Sequence, residues 1–218
     1  MSNINNDFIE DFIRDIIPKK SIFIKKIEEY ARKNHVPIIH PEVGELLKVL
    51  INIKGAKNIL EIGCAIGYSS IIMAAQLKDG YVTTIERRTD MVKIAKENIE
   101  ESGLENIKVL EGEAQKVLPE LKDKFDFIFI DAAKGKYMEF LPYCIDMLKS
   151  GGVIVSDNVL FKGMVANDKL VVRRKKTIVK RMREYLDYIS NHKDLMTSVI
   201  PIGDGVAISY KKEELKNE

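Results

Sequence analysis

The sequence has no tryptophan, only two cysteines among 218 residues, and no uninterrupted apolar run near the ~18 residues that suggest a membrane span. Cys64 and Cys144 are too few for a disulfide framework in a chain of this size, so both are expected to be reduced thiols. The opening stretch MSNINNDFIEDFIRDIIPKK mixes acids with its apolar residues, which excludes a secretory leader and leaves a cytoplasmic protein as the expectation. Internal repeats, low-complexity tracts and Pro/Gly/Ser-rich linkers are absent too, so residues 1–218 read as one domain. Neither sign of charge dominates: 35 Lys+Arg against 33 Asp+Glu give +2. A 45% hydrophobic share with 31% charged residues excludes a disordered or collagen-like chain.

What is present divides in two. Residues 1–53 read as a helical appendage: Phe8, Ile9, Phe12, Ile13 and Ile16 recur at helical spacing up to Pro18, Ile24, Ile27 and Tyr30 mark a second stripe, and Val43, Leu46, Leu47 and Leu50 a third after Pro37 and Pro41. Residues 57–210 read as an α/β core. Short β-like runs at 57–63, 81–86, 107–112, 125–131 and 152–158 alternate with amphipathic segments such as 90–101, which ends at Gly103. This alternation predicts a doubly wound, Rossmann-like parallel sheet covered on both faces. Residues 197–210 differ, because two runs flank Gly203, Asp204 and Gly205 and predict an antiparallel edge hairpin, for seven strands in all.

In such sheets ligands bind beyond the C-terminal strand ends. There the sequence places Glu61 to Gly63, Glu86, Gly112 to Ala114, Asp131 and the pair Asp157-Asn158. LEIGCAIGYS, residues 60–69, ends a strand and opens a helix, and Glu86 ends the next strand, where an acid can accept both hydroxyls of a ribose. The dinucleotide fingerprint G-x-G-x-x-G fails, since Ala65 and Tyr68 stand where its second and third glycines belong. The turn suits a nucleoside without phosphates, such as S-adenosylmethionine. The blander alternative is a tight turn shaped by Gly63 and Gly67 with Glu86 solvated.

Asp131, Asp157 and Asn158 end neighbouring strands and offer two carboxylates and an amide oxygen, a hard oxygen set suited to Mg²⁺. Lys134, three residues beyond Asp131, can bring an amine to the same crevice as a general base. Taken singly, Asp131 could cap a helix, Asp157-Asn158 could form a turn and Lys134 could be a surface lysine. Together at adjacent strand ends they predict one site.

The segments LEIGCAIGYS, TIER, EGEA, FIFIDAAKGKY and GGVIVSDNVLFKG, with the GDG hairpin, resemble the cation-dependent, S-adenosylmethionine-dependent O-methyltransferases, which include catechol and caffeoyl-CoA methyltransferases; the likeness extends over about residues 35–210. The resemblance implies methyl transfer to a hydroxyl chelated by Mg²⁺. It implies Asp131, Asp157 and Asn158 as metal ligands, Lys134 as base, and Ile39, Gly63, Ser69, Glu86, Ala114 and Asp131 around the cofactor. It also suggests a homodimer. VPIIHPE, AIGYS, DAAKGKY, DNVLFKG and the basic stretch that follows are most similar to the bacterial tRNA 5-hydroxyuridine methyltransferases within that family. The chain departs from the catechol pattern: Ala132 and Ala133 follow Asp131 in place of a bulky aromatic, and there is no tryptophan to build an aromatic clamp.

The charge is unevenly spread. Residues 162–183 hold nine basic side chains and one acid, a local +8 that leaves the rest of the chain at −6. Arg173, Arg174, Lys175 and Lys176 form the densest part and predict contact with a phosphate backbone, with a tRNA anticodon loop as the partner. The competing reading is a solvated helix face, since Ile178, Val179, Met182 and Tyr185 give the segment an apolar stripe. A wobble base in a single-stranded loop can be splayed into a pocket, with Phe161 able to pack on the base or on the protein. His35 and His40 are expected in loop or cap positions, and Asp204 in its turn.

Overall fold

A computed structural model describes residues 4–213. The strands are β1 (Asn58–Ile62), β2 (Tyr81–Glu86), β3 (Ile107–Glu111), β4 (Phe125–Ile130), β5 (Leu148–Ser156), β6 (Leu195–Ile200) and β7 (Val206–Lys211), in one sheet of order β3-β2-β1-β4-β5-β7-β6. Neighbours from β3 to β5 pair in parallel, and β7 pairs antiparallel with both β5 and β6, giving the predicted edge hairpin.

Alternation along the central strand β4 builds two cores. Ile128 and Ile130 point into one apolar cluster and Phe127 and Phe129 into the other, all four inaccessible to solvent. One face is covered by α2 (Ile22–Lys33), α3 (Pro41–Lys54), α4 (Tyr68–Ala74) and α5 (Thr89–Ser102), through residues such as Ile27, Leu47, Ile71 and Ile99. The other is covered by α7 (Tyr137–Met147) and α8 (Lys176–Asn191), through Phe140, Leu141, Val179 and Met182. The short α6 (Ala114–Val117) follows β3.

Strand β5 begins at Leu148, four residues before the predicted run. Its pairing with β4 jumps from Phe125↔Leu148 to Phe127↔Val153, so a bulge takes up Gly151 and Gly152. The first helix, α1 (Asp7–Ile16), has the predicted amphipathic spacing, but it turns its polar side inward. Arg14 reaches Glu42 at 2.7 Å and Glu10 at 3.1 Å, Glu10 is the helix's one buried residue, and Phe8, Phe12 and Ile16 stand outward. No helix among the described residues is long and apolar enough to cross a membrane.

Backbone hydrogen bonds carry the sheet past its formal ends. Gly63 N–H donates to Ile85, Gly112 to Glu86, Asp131 to Ile62 and Asp157 to Ile130, at 2.9–3.0 Å. The residues just after four strands are thereby fixed side by side along one edge.

Candidate active site

That edge opens into a crevice of about 860 Å³, within the size range of small-molecule sites. Gly63, Glu86, Ala114, Asp131, Lys134 and Asn158 line it, six of the residues singled out from sequence. The glycine turn forms its floor. Gly63 has φ +107, and a Cβ there would lie 1.9 Å from the Asp131 carbonyl oxygen, so only glycine lets the turn lie against the end of β4. Ala65, at φ +45, is held by a 3.0 Å hydrogen bond from its N–H to Glu86 Oε2, while Arg88 N–H donates to Glu86 Oε1 at 2.9 Å. Each Glu86 oxygen can accept a further hydrogen bond, and Glu86 lines the crevice, as binding of a ribose diol requires.

Ser69, Ile39 and Asp157 are not among the lining residues. Ile39 is buried in the apolar cluster beneath α3. The Ser69 hydroxyl donates to Glu61, which also accepts from Ser70 and, at 2.6 Å, from Thr84. Glu61 is wholly buried, and desolvation outweighs these three donors to push its carboxyl up to about 7. Sequence reading marked Glu61 only as a strand end; its partners lie up to 23 residues away and have no spacing signature.

Asp131 follows β4 and Asp157-Asn158 follow β5, so the three stand at the ends of two paired strands. Asp157 is fully buried behind Asn158, and burial with the neighbouring Asp131 charge raises its carboxyl well above the usual carboxylate range. Asp131 is raised as well, chiefly by burial. Asp157 Oδ1 accepts from Asn158 N–H at 2.6 Å, whereas its Oδ2 is buried with no hydrogen-bond partner among the described residues. Two desolvated acids with an orphaned oxygen, beside an amide oxygen, are a donor set that fits a hard divalent cation. Among the described residues no three His, Cys, Asp or Glu side chains are grouped to hold a metal, and a cation held by Asp131 and Asp157 would take its third protein donor from the Asn158 amide. Lys134 Nζ donates to Asn158 Oδ1 at 2.7 Å, which puts the amine at the cation set. Tyr137, buried, donates toward the carbonyls of Ile130 at 3.2 Å and Asp157 at 2.9 Å and braces the two strand ends; it closes the FIFIDAAKGKY segment, but sequence reading assigned it no role.

The basic segment divides by role. Arg183 binds the carbonyls of Val165 and Met164 and pairs with Asp168 at 2.7 Å, and Arg181 donates to the Gly135 carbonyl at 3.1 Å, so both brace the loops around the crevice. Arg173, Arg174 and Lys176 are exposed. Lys175 Nζ lies 5.5 Å from the centre of the Phe161 ring, and Lys134 Nζ lies 5.6 Å from the same ring. Phe161 is buried and packs on the protein, the second of its two predicted placements. His40 precedes α3 as its cap residue and His35 sits in the turn after α2, as expected.

The sequence model of the O-methyltransferase family matches residues 16–212. A catechol O-methyltransferase of Niastella koreensis is 32% identical over 176 residues, 77% of this chain and 80% of the relative. A Staphylococcus aureus crystal structure, provisionally assigned as a caffeoyl-CoA O-methyltransferase, is 36% identical with a TM-score of 0.88, covering 94% of this chain and 100% of the other. The Bacillus cereus O-methyltransferase solved in complex with SAH is 28% identical with a TM-score of 0.84, covering 94% of this chain and 97% of the other.

Proposed function

The chain belongs to the O-methyltransferase family, and on that premise we propose that it transfers the methyl group of S-adenosylmethionine, with Mg²⁺, to the 5-hydroxyl of 5-hydroxyuridine at the tRNA wobble position, giving 5-methoxyuridine. The SAH-bound Bacillus cereus relative supports the cofactor, and the crevice offers Glu86 for a ribose and the turn at Gly63 for close approach of a ligand. Asp131, Asp157 and Asn158 would hold the cation. Bound there, Mg²⁺ would supply Lewis acidity that favours the ionised acceptor hydroxyl. Lys134, anchored on Asn158, receives the hydroxyl proton at Nζ.

The observation that carries the RNA reading is Lys175 at the Phe161 ring shared with Lys134. It brings the polybasic segment near Lys134, which lines the crevice, with exposed Arg173, Arg174 and Lys176 beside it to meet phosphates of an anticodon loop. Methylation of a small catechol or phenol is the second reading, favoured by the names of the relatives. A catechol's vicinal oxygens and the 5-hydroxyl with the 4-carbonyl of the modified uridine present a similar bite to the cation.

The protein is proposed to act in the cytoplasm as a homodimer. The outward apolar side of α1, with Phe8 71% and Phe12 and Ile16 64% exposed, is the surface a second copy would cover. For the activity, tRNA from cells lacking this gene is incubated with methyl-labelled cofactor alongside a catechol. The expected result is label in RNA that depends on Mg²⁺ and disappears with EDTA; label in the catechol alone refutes the RNA reading.

A further inference from the structure

We propose that Asp204 is a positioning residue: from the turn between β6 and β7 it holds residues 158–162 in the bends that aim Asn158 at the cation-binding set. The segment after β5 is unusual in its backbone. Asn158, Phe161 and Lys162 have φ of +58, +45 and +56, the left-handed region that side-chain-bearing residues occupy only where their surroundings over-determine them. Three backbone N–H groups of the segment bond to one turn. Val159 N–H donates to the Gly205 carbonyl at 2.9 Å, Leu160 N–H to the Asp204 carbonyl at 3.1 Å, and Lys162 N–H to the Asp204 carboxylate.

The turn is itself a fixed platform. A Cβ on Gly205 would lie 2.3 Å from Leu160 Cγ, so the two segments meet with no room for a side chain between them. On its far side, a Cβ on Gly203 would meet Val43 at 2.9 Å and the His40 ring at 3.5 Å, and Asn5 donates to the Pro201 carbonyl at 2.6 Å. The chain from the N-terminal helices through the turn to Asn158 is therefore contiguous. The side-chain acceptor in it is Asp204, half-buried and within electrostatic reach of Lys134 and His40. Its work is done by an acceptor oxygen on a backbone N–H, so the role does not require a negative charge, and it is the same whether the methyl acceptor is RNA or a catechol.

Asp204→Ala and Asp204→Asn in the full chain separate this role from direct ligation. Mn²⁺ alone is titrated by electron paramagnetic resonance, SAH affinity is measured by calorimetry, and kcat and KM are taken with whichever acceptor the parent protein methylates. Asp204→Ala is expected to weaken Mn²⁺ binding by about 10- to 100-fold and to lower kcat, leaving SAH affinity unchanged. Asp204→Asn keeps an oxygen for the Lys162 N–H and is expected within about threefold of the parent in Mn²⁺ affinity. Parental Mn²⁺ affinity in Asp204→Ala overturns the proposal. So does an Asp204→Asn loss of tenfold or more, since that assigns the charge itself to the cation or the substrate; this arm stands even if Asp204→Ala does not fold.

Discussion

Burial makes the charged form of Asp157 unfavourable. Its carboxyl is raised by burial and by Asp131, so the folded protein retains a proton that the unfolded chain has already released, and stability falls as pH climbs from the ordinary carboxylate range to the raised value. Asp157→Asn removes that penalty. In EDTA at neutral pH the variant should melt above the parent, by about 2–4 °C for each kcal/mol relieved, while methyl transfer is abolished. A lower melting temperature with intact fold would contradict the assignment. Glu61 obeys the same sign with its own window. Its pKa rises from an ordinary 4.5 to about 7, so its contribution is intact below pH 4.5 and is lost by about pH 7, a change on the order of 3 kcal/mol. Glu61→Gln should flatten stability across that window, which denaturant titrations at pH 5 and pH 8 will reveal.

At the scale of elements, the sheet was legible because parallel strands buried on both faces read as apolar runs, and because Glu86, Asp131 and Asp157-Asn158 each close such a run. The partners of those residues were not legible. Asp204 reaches Lys162 across 42 positions and Thr84 reaches Glu61 across 23, separations that carry no periodic signal. Phe161 reads equally well as packing on a base or on the protein; the structure packs it into the cluster that holds Val179 and Met182 of α8. The polybasic segment read as one block, yet Arg181 and Arg183 are used in bracing while Arg173, Arg174 and Lys176 remain exposed. Phosphate binding should follow that division. With about four contacts to single-stranded RNA the parent's log–log salt slope is roughly −3, and alanine at Arg173, Arg174 and Lys176 together should reduce its magnitude by about 2. Catechol methylation, if present, should be insensitive to the same changes.

For the whole molecule, the total of +2 conceals a −6 body carrying a +8 segment, and the fold brings Lys175 of that segment to the Phe161 ring that Lys134 also faces. The inward polar side of α1 is equally invisible in sequence, because helical spacing reveals an apolar face without saying which way it points; Glu42 and His40, which receive Arg14, decide the direction. Serine at Phe8, Phe12 and Ile16 should therefore shift sedimentation from dimer toward monomer without loss of helix content; a parent that sediments as a monomer removes the need for the experiment and refutes the pairing. The central claim, cation-assisted methylation of an RNA hydroxyl, is tested most directly by nucleoside mass spectrometry of tRNA bearing 5-hydroxyuridine after incubation with protein, S-adenosylmethionine and Mg²⁺. Conversion to 5-methoxyuridine by the parent, absent with EDTA and with Asp157→Ala, is the predicted result; unchanged 5-hydroxyuridine under conditions in which a catechol is methylated would contradict it.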